Sequence, residues 1–366
     1  MSERVYNIHG LVEVVISPDV RPEIVREVEF QIGSFRSEIS ETHPRRPPRV
    51  YVQPYAAWKS SAKSTEGEAV FYHCQGVPGT YLRDERGRLA VMREGCDIRI
   101  FSDYASFLIN LYTQILIAPQ GFTMVHAAAY QSSRGTVNVL AGAGGIGKTA
   151  VLGYAVRERK LRHLGDDLVI LGGLGQCFAF PRAFVLKSYH LEGYADTFRR
   201  LRLPRWNLYT LKRFIIDNAP FVGFAKSTLR RTGFYYKVAD LLRPQPFLAS
   251  VSPDEIFGKG SVISSGEIGR IAYLDRVHGG SFDIQPLNTD TLVNRLFSVI
   301  HHEWKDFLAH LVSLGALNVV DMSKYCEQVK NILHAAVANR ELHRVSIPVG
   351  ATPEQLIKFL DEHGFF

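Results

Sequence analysis

Residues 142–149 read Gly142-Ala143-Gly144-Gly145-Ile146-Gly147-Lys148-Thr149. This is the pattern G-x-x-x-x-G-K-[ST], in which glycines let backbone N–H groups turn inward around phosphate oxygens. Its flanks fit. The apolar run Val137-Asn138-Val139-Leu140 precedes it and predicts a strand, while Ala150, Val151, Leu152, Tyr154, Ala155 and Val156 follow at helical spacing. A helix N-terminus behind such a loop adds a favourable dipole for an anion. Lys148 is then expected on the β- and γ-phosphates and the Thr149 hydroxyl on Mg²⁺. The competing reading is a glycine-rich turn with a surface lysine. The order strand, loop, helix favours nucleotide binding.

A second signal lies one helix downstream, in Leu164-Gly165-Asp166-Asp167-Leu168-Val169-Ile170-Leu171. Here two aspartates precede an apolar strand rather than end one. Adjacent carboxylates do not both ionise cheaply without a cation or a hydrogen-bond partner. Mg²⁺ on one and the proton of an attacking hydroxyl on the other would relieve that conflict. A solvated turn feeding a strand is the alternative. Upstream, Phe122-Thr123-Met124-Val125-His126-Ala127-Ala128-Ala129-Tyr130 reads as a strand with His126 in its middle. Taken alone, such a histidine is more often a satisfied core residue than a catalyst.

Taken together, the runs GFTMVHAAAY, VNVLAGAGGIGKT and LGDDLVIL resemble the kinase domain of the HPr kinase/phosphorylases and their wider family. That family carries a histidine-bearing strand, a phosphate loop and an Asp-Asp pair in this order and at about this spacing. The similarity covers residues 100–190 and extends more weakly toward 310. It implies a P-loop, HPr-kinase-like α/β core. Lys148 and Thr149 would bind phosphate and Mg²⁺, with Gly142 to Thr149 as the nucleotide cradle. Asp167 would be the base on the acceptor hydroxyl, with Asp166, on the metal, and His126 beside it. One feature departs from the family, whose bacterial members hold the metal partly through a Glu after the Asp-Asp strand. Pro181-Arg182-Ala183-Phe184-Val185-Leu186-Lys187 offers no acid there. This places the chain nearer the diverged members, whose acceptors are peptides or small molecules. Arg182 and Lys187 are instead candidates to steady the substrate's phosphoryl group.

Composition narrows the class. The chain has 366 residues, enough for one large domain or two ordinary ones with a buried core. Met1-Ser2-Glu3-Arg4 runs directly into an alternating pattern (Val5, Ile8, Leu11, Val12, Val14, Ile16) rather than a targeting peptide. Tyr104 to Ala118 is the longest apolar run, interrupted by Asn110, Thr113 and Gln114. Its apolar spacing predicts a half-buried helix and no membrane span. Cys74, Cys96, Cys177 and Cys326 are scattered without metal-site spacing, so free thiols in a cytoplasmic protein are expected.

Charge is uneven. Residues 199–243 hold eleven Lys and Arg against two Asp, interleaved with aromatics, although the whole chain nets only +7. This stretch is either an exposed positive face or a seat for an anionic acceptor. A small molecule or peptide fits it better than nucleic acid, since no nucleic-acid module is recognisable.

The expected organisation is a β-rich lobe over 1–100, a kinase core over 101–290 that includes the basic aromatic insertion 196–245, and a helical region over 291–366. Asp84 to Arg88 predicts a hairpin turn, and residues 190–245 read as helices broken at Pro204, Pro220 and Pro244. Arg270 to Asp275 predicts a strand whose last residue competes third for the metal, unless Arg276 pairs with it. Thr352, Pro353, Gln355 and Gly364 signpost a closing helix with a capping box. The expected activity is transfer of the γ-phosphate of ATP, with Mg²⁺, to an acceptor hydroxyl. The acceptor is a peptide or protein serine, or a small-molecule alcohol such as a sugar, nucleoside or polyol. A nucleotide-binding ATPase or scaffold is the third reading, against which the Asp-Asp pair argues. The resemblance is compatible with a dimer or ring.

Overall fold

The alternating pattern of the first hundred residues builds a sheet. The computed structural model describes residues 2–37, 46–61, 80–84, 89–103, 108–187, 247–303 and 305–366. Strands β1 (Arg4–Ile8) and β2 (Val12–Ile16) form an antiparallel hairpin with Val5 opposite Val15. Helix α1 (Pro22–Ile32) buries Ile24, Val25, Val28 and Ile32, the one-sided spacing of an amphipathic helix. After β3 (Arg36–Ser37), strand β4 (Arg49–Gln53) pairs parallel to β2, followed by α2 (Tyr55–Ser61). Strands β5 (Thr80–Asp84) and β6 (Leu89–Glu94) pair antiparallel with Asp84 opposite Leu89. They flank the expected hairpin turn, whose residues 85–88 lie outside the described residues. Strand β7 (Asp97–Ser102) completes the order β3-β1-β2-β4-β7-β6-β5.

Helix α3 (Leu108–Ile117) differs from its half-buried expectation: Ile109 to Ala118 are all buried. It packs on β2 and β4 of the first sheet and on β8 (Phe122–Val125) of the second, so no face is left for solvent. Burial of polar groups is offset at two of its residues by pairing. Gln114 donates to the Thr123 hydroxyl (2.7 Å) and accepts from the Met124 amide (2.7 Å), and Asn110 donates to Gln31 (2.6 Å).

The second sheet carries the site. Strand β9 (Ala127–Gln131) pairs antiparallel with both β10 (Val137–Ala141) and β11 (His163–Gly165). Helix α4 (Lys148–Arg157) separates β10 from β11. Strand β12 (Val169–Gly172) lies between β8 and β13 (Gln176–Phe178). Past a separate unit comes β16 (Ser265–Val277), long enough to pair with β13 through its first residues and with β10 through its later ones. The order is β11-β9-β10-β16-β13-β12-β8, with parallel and antiparallel pairs mixed. The architecture is α/β.

The separate unit, Ala183–Gly258, contains the antiparallel pair β14 (Phe184–Lys187) and β15 (Phe247–Val251), and the short helix α5 (Pro253–Phe257). Phe184 and Phe257 meet edge to face at 5.2 Å. The expected helices over 190–245 and the basic stretch 199–243 lie outside the described residues.

Strand β17 (Asp283–Pro286) is followed by α6 (Thr289–Glu303), α7 (Lys305–Ala316) and α8 (Met322–Val337). The region expected to be helical also contains a strand, β18 (Glu341–Pro348), which runs parallel to β16 and antiparallel to β17. Its alternation is short, with only Val345 and Ile347 buried, which is why helical spacing around it dominated the reading. Among the described residues, no helix is long and apolar enough to cross a membrane.

Helix α9 (Pro353–Glu362) closes the chain with the expected capping box. The Thr352 hydroxyl accepts from the Gln355 amide, and Gln355 Oε1 accepts from the Thr352 amide. The helix leans on α4: Tyr154 donates to Asp361 and Arg159 pairs with the same carboxylate. Thr352→Ala removes one half of the box and is expected to cost about 1 kcal/mol in a urea melt. An unchanged midpoint would mean that packing on α4 holds the helix start without the cap.

Candidate active site

The glycine-rich loop leaves β10 at Ala141 and enters α4 at Lys148. Ala143, Gly144 and Gly145 are exposed, while Ile146 anchors the loop from below. Gly142 has to be glycine: its φ is 145°, and a Cβ there would lie 2.7 Å from the Leu274 carbonyl oxygen of β16. Lys148 is 6% exposed and donates to the carbonyls of Gly142 (2.6 Å) and Ala143 (2.9 Å). Burial lowers its pKa, against the opposing pull of Asp167, Asp166 and Glu303.

The other residues meet because the chain changes pairing partners twice in the same place. Strand β8 pairs with β12, and its continuation β9 pairs with β11. The step from β8 to β9 occurs at His126. The step from β11 to β12 occurs at Asp166, Asp167 and Leu168. Val125 opposes Val169 on one side of these steps and Ala129 opposes Gly165 on the other. The histidine and the aspartates are therefore held side by side by sheet registry. His126 is thus not mid-strand, as expected, but at the break between two strands with different neighbours.

The two aspartates face different groups. Asp166 accepts from the Thr149 hydroxyl, at 2.8 Å to Oδ2 and 3.1 Å to Oδ1. Burial, reinforced by the adjacent Asp167 carboxylate, pushes its pKa up to about 7. Asp167 has φ 81°, a left-handed conformation that is costly for a residue with a Cβ. Its Oδ2 accepts from Arg182 Nη1 at 2.6 Å, and its Oδ1 lies 3.2 Å from His126 Nδ1. Asp167 remains 48% exposed on its side chain, whereas His126 is 6% exposed. Neither ring nitrogen of His126 has an aligned hydrogen-bond partner among the described residues. Burial lowers the His126 pKa, opposed by Asp167.

Arg182 is braced from the first sheet's side. Its guanidinium lies 5.9 Å from the Phe30 ring centroid of α1, and Ser34 donates to the Pro181 carbonyl. His9 Nε2 lies 2.7 Å from the Ala179 carbonyl oxygen, and Phe35 packs on Phe180. Lys187 belongs to the separate unit as part of β14, and its side chain lies outside the described residues.

Asp275 does not have the role expected for a third metal candidate. It does not end its strand, since β16 continues to Val277, and it does not pair with Arg276. It lies 3.1 Å from Arg295 Nη1 and 2.9 Å from Arg344 Nη2, and two guanidinium groups leave a cation no advantage there. Successive strand residues face opposite sides, which sends Arg276 elsewhere, to the Gly145 carbonyl at 3.3 Å.

Sequence reasoning missed Glu303. Its Oε1 accepts from the Gly144 amide at 2.8 Å, across 159 residues of chain. No local pattern marks it.

No protein-family profile and no curated protein matches this chain.

Mg²⁺ bound with a nucleotide needs only one or two protein oxygens, the rest coming from phosphates and water. The Thr149 hydroxyl and the Asp166 carboxylate are such a pair, and a cation would relieve the crowding of the two aspartates. Among the described residues, no group of three or more His, Cys, Asp and Glu side chains is arranged to hold a metal unaided.

Proposed function

We propose that this chain is an ATP-dependent kinase with a diverged HPr-kinase-like core, which transfers the γ-phosphate to a hydroxyl of a peptide or small molecule. One observation carries the reading. Two consecutive aspartates divide between the end of the glycine-rich loop and an exposed face, with Asp166 on Thr149 and Asp167 between His126 and Arg182.

In this reading the loop amides and Lys148 hold the β- and γ-phosphates, and Lys148 leaves the loop carbonyls to do so. Mg²⁺, held by Thr149 and Asp166, would neutralise charge between those phosphates. Asp167 takes the acceptor's proton as that oxygen bonds to the γ-phosphorus and the bond to the β,γ-bridging oxygen breaks, releasing ADP. Arg182 aims the Asp167 carboxylate and offers positive charge to the transferring group. Positioning and electrostatics supply most of the rate. The free thiols of Cys96, Cys177 and Cys326 suit a reducing compartment such as the cytoplasm.

The test is incubation with γ-labelled ATP and Mg²⁺ in the presence of pooled metabolites or lysate proteins, with acceptors identified by mass spectrometry. An acid-stable phosphate ester should form with the wild type and fall at least about a hundredfold with Lys148→Ala, which removes the charge on the phosphates. ATP binding without any phosphorylated acceptor would leave a nucleotide-binding scaffold instead.

A further inference from the structure

Glu303 is the final residue of α6 and is exposed, yet its carboxylate accepts a hydrogen bond from the loop amide of Gly144. A negative side chain at the C-terminal end of a helix faces the wrong sign of that helix's dipole. The group it does suit is the loop ahead of α4, where amides and a helix N-terminus favour an anion. Its reach is wider than one bond. The carboxylate acts electrostatically on both Lys148 and His126, in each case favouring the charged form. Oε2 also approaches to 3.1 Å of where a Gly144 Cβ would stand, so the carboxylate sits over the loop rather than beside it. Meanwhile Lys148 is folded onto the carbonyls of Gly142 and Ala143. Loop and lysine thus satisfy each other and Glu303.

We propose that Glu303 is an internal phosphate mimic, its carboxylate occupying the anion seat of the glycine-rich loop until the phosphates of a nucleotide displace it. This rests on the nucleotide-binding reading above and adds a competitor to it. An exposed side chain at a helix end swings away without disturbing the core, so displacement is local. The competition lowers apparent nucleotide affinity by the fraction of molecules in which the loop is free.

The experiment is calorimetric titration of the wild type, Glu303→Gln and Glu303→Ala with Mg·ATP and, separately, with pyrophosphate, which probes the loop without a base. Removing the charge should tighten both ligands roughly tenfold, as expected if about a tenth of the molecules have a free loop. Thermal melts of the three proteins should coincide. Unchanged or weaker binding in the variants, with the wild type still binding, overturns the mimic and makes Glu303 a structural contact or a ligand-holding residue. Failure of all three proteins to bind either probe overturns the nucleotide reading itself, and the mimic with it.

Discussion

Asp167→Asn is expected to lower phosphoryl transfer by about 10²- to 10⁴-fold, the usual contribution of a positioned general base, while leaving nucleotide affinity unchanged. Asparagine preserves the shape of the side chain, and its carbonyl still accepts from Arg182, which now bonds Asp167 at 2.6 Å. It cannot take a proton from the attacking hydroxyl. The loop, Lys148 and the pair of Thr149 and Asp166 stay intact, so binding and chemistry separate cleanly. Single-turnover transfer measured beside calorimetric titration of Mg·ATP distinguishes the two. Transfer by the variant at the wild-type rate would remove Asp167 from the chemistry. Loss of nucleotide affinity together with transfer would reassign it to holding the nucleotide.

How far this site could be read from sequence depended on how local each contact is. The loop, its flanking strand and its helix occupy consecutive residues, and their grammar is complete within Val137 to Arg157. The caps of α9 are equally local, since Thr352 and Gln355 are three residues apart. Asp166 and Asp167 were legible as a pair, but their division of labour was not. It lies in their separate tertiary partners, Thr149 for Asp166 and His126 with Arg182 for Asp167, which no side-chain pattern reports. His126 was singled out by resemblance. Its placement comes from two strand-to-strand steps meeting side by side, a property of the sheet rather than of any segment.

Long-range pairing defeated the reading elsewhere. Glu303 meets Gly144 from the end of a helix far along the chain. Asp275 looked like a strand-ending acid until Arg344, brought alongside by β18, and Arg295, from α6, claimed it. Burial of α3 on every side required a second sheet that the spacing of its own residues could not announce. In each case the missing information was the identity of a neighbour, which periodicity does not encode.

Gly165→Ala should destabilise the protein by about 3 kcal/mol and dismantle the aspartate pair, although the substitution adds a single methyl group. Gly165 ends β11 where the chain steps toward β12, and the backbone turns back closely on itself there. A Cβ would stand 2.3 Å from the Leu168 carbonyl oxygen and 3.1 Å from that of Phe180. Both are backbone atoms and cannot rotate away, so the strand step itself must move. Asp166 and Asp167 are the next two residues, and the contacts to Thr149, His126 and Arg182 would shift with them. Gly33→Ala is the matched control. Gly33 has φ −57° in the right-handed region, and its nearest neighbour is the Glu29 Cβ at an ordinary 3.7 Å. That change should stay within about 0.5 kcal/mol. Urea melts of both variants test the contrast, and phosphoryl transfer tests its consequence. Equal stability of the two would mean that the β11–β12 step is looser than this geometry requires. Registry would then not be what holds the aspartates beside His126.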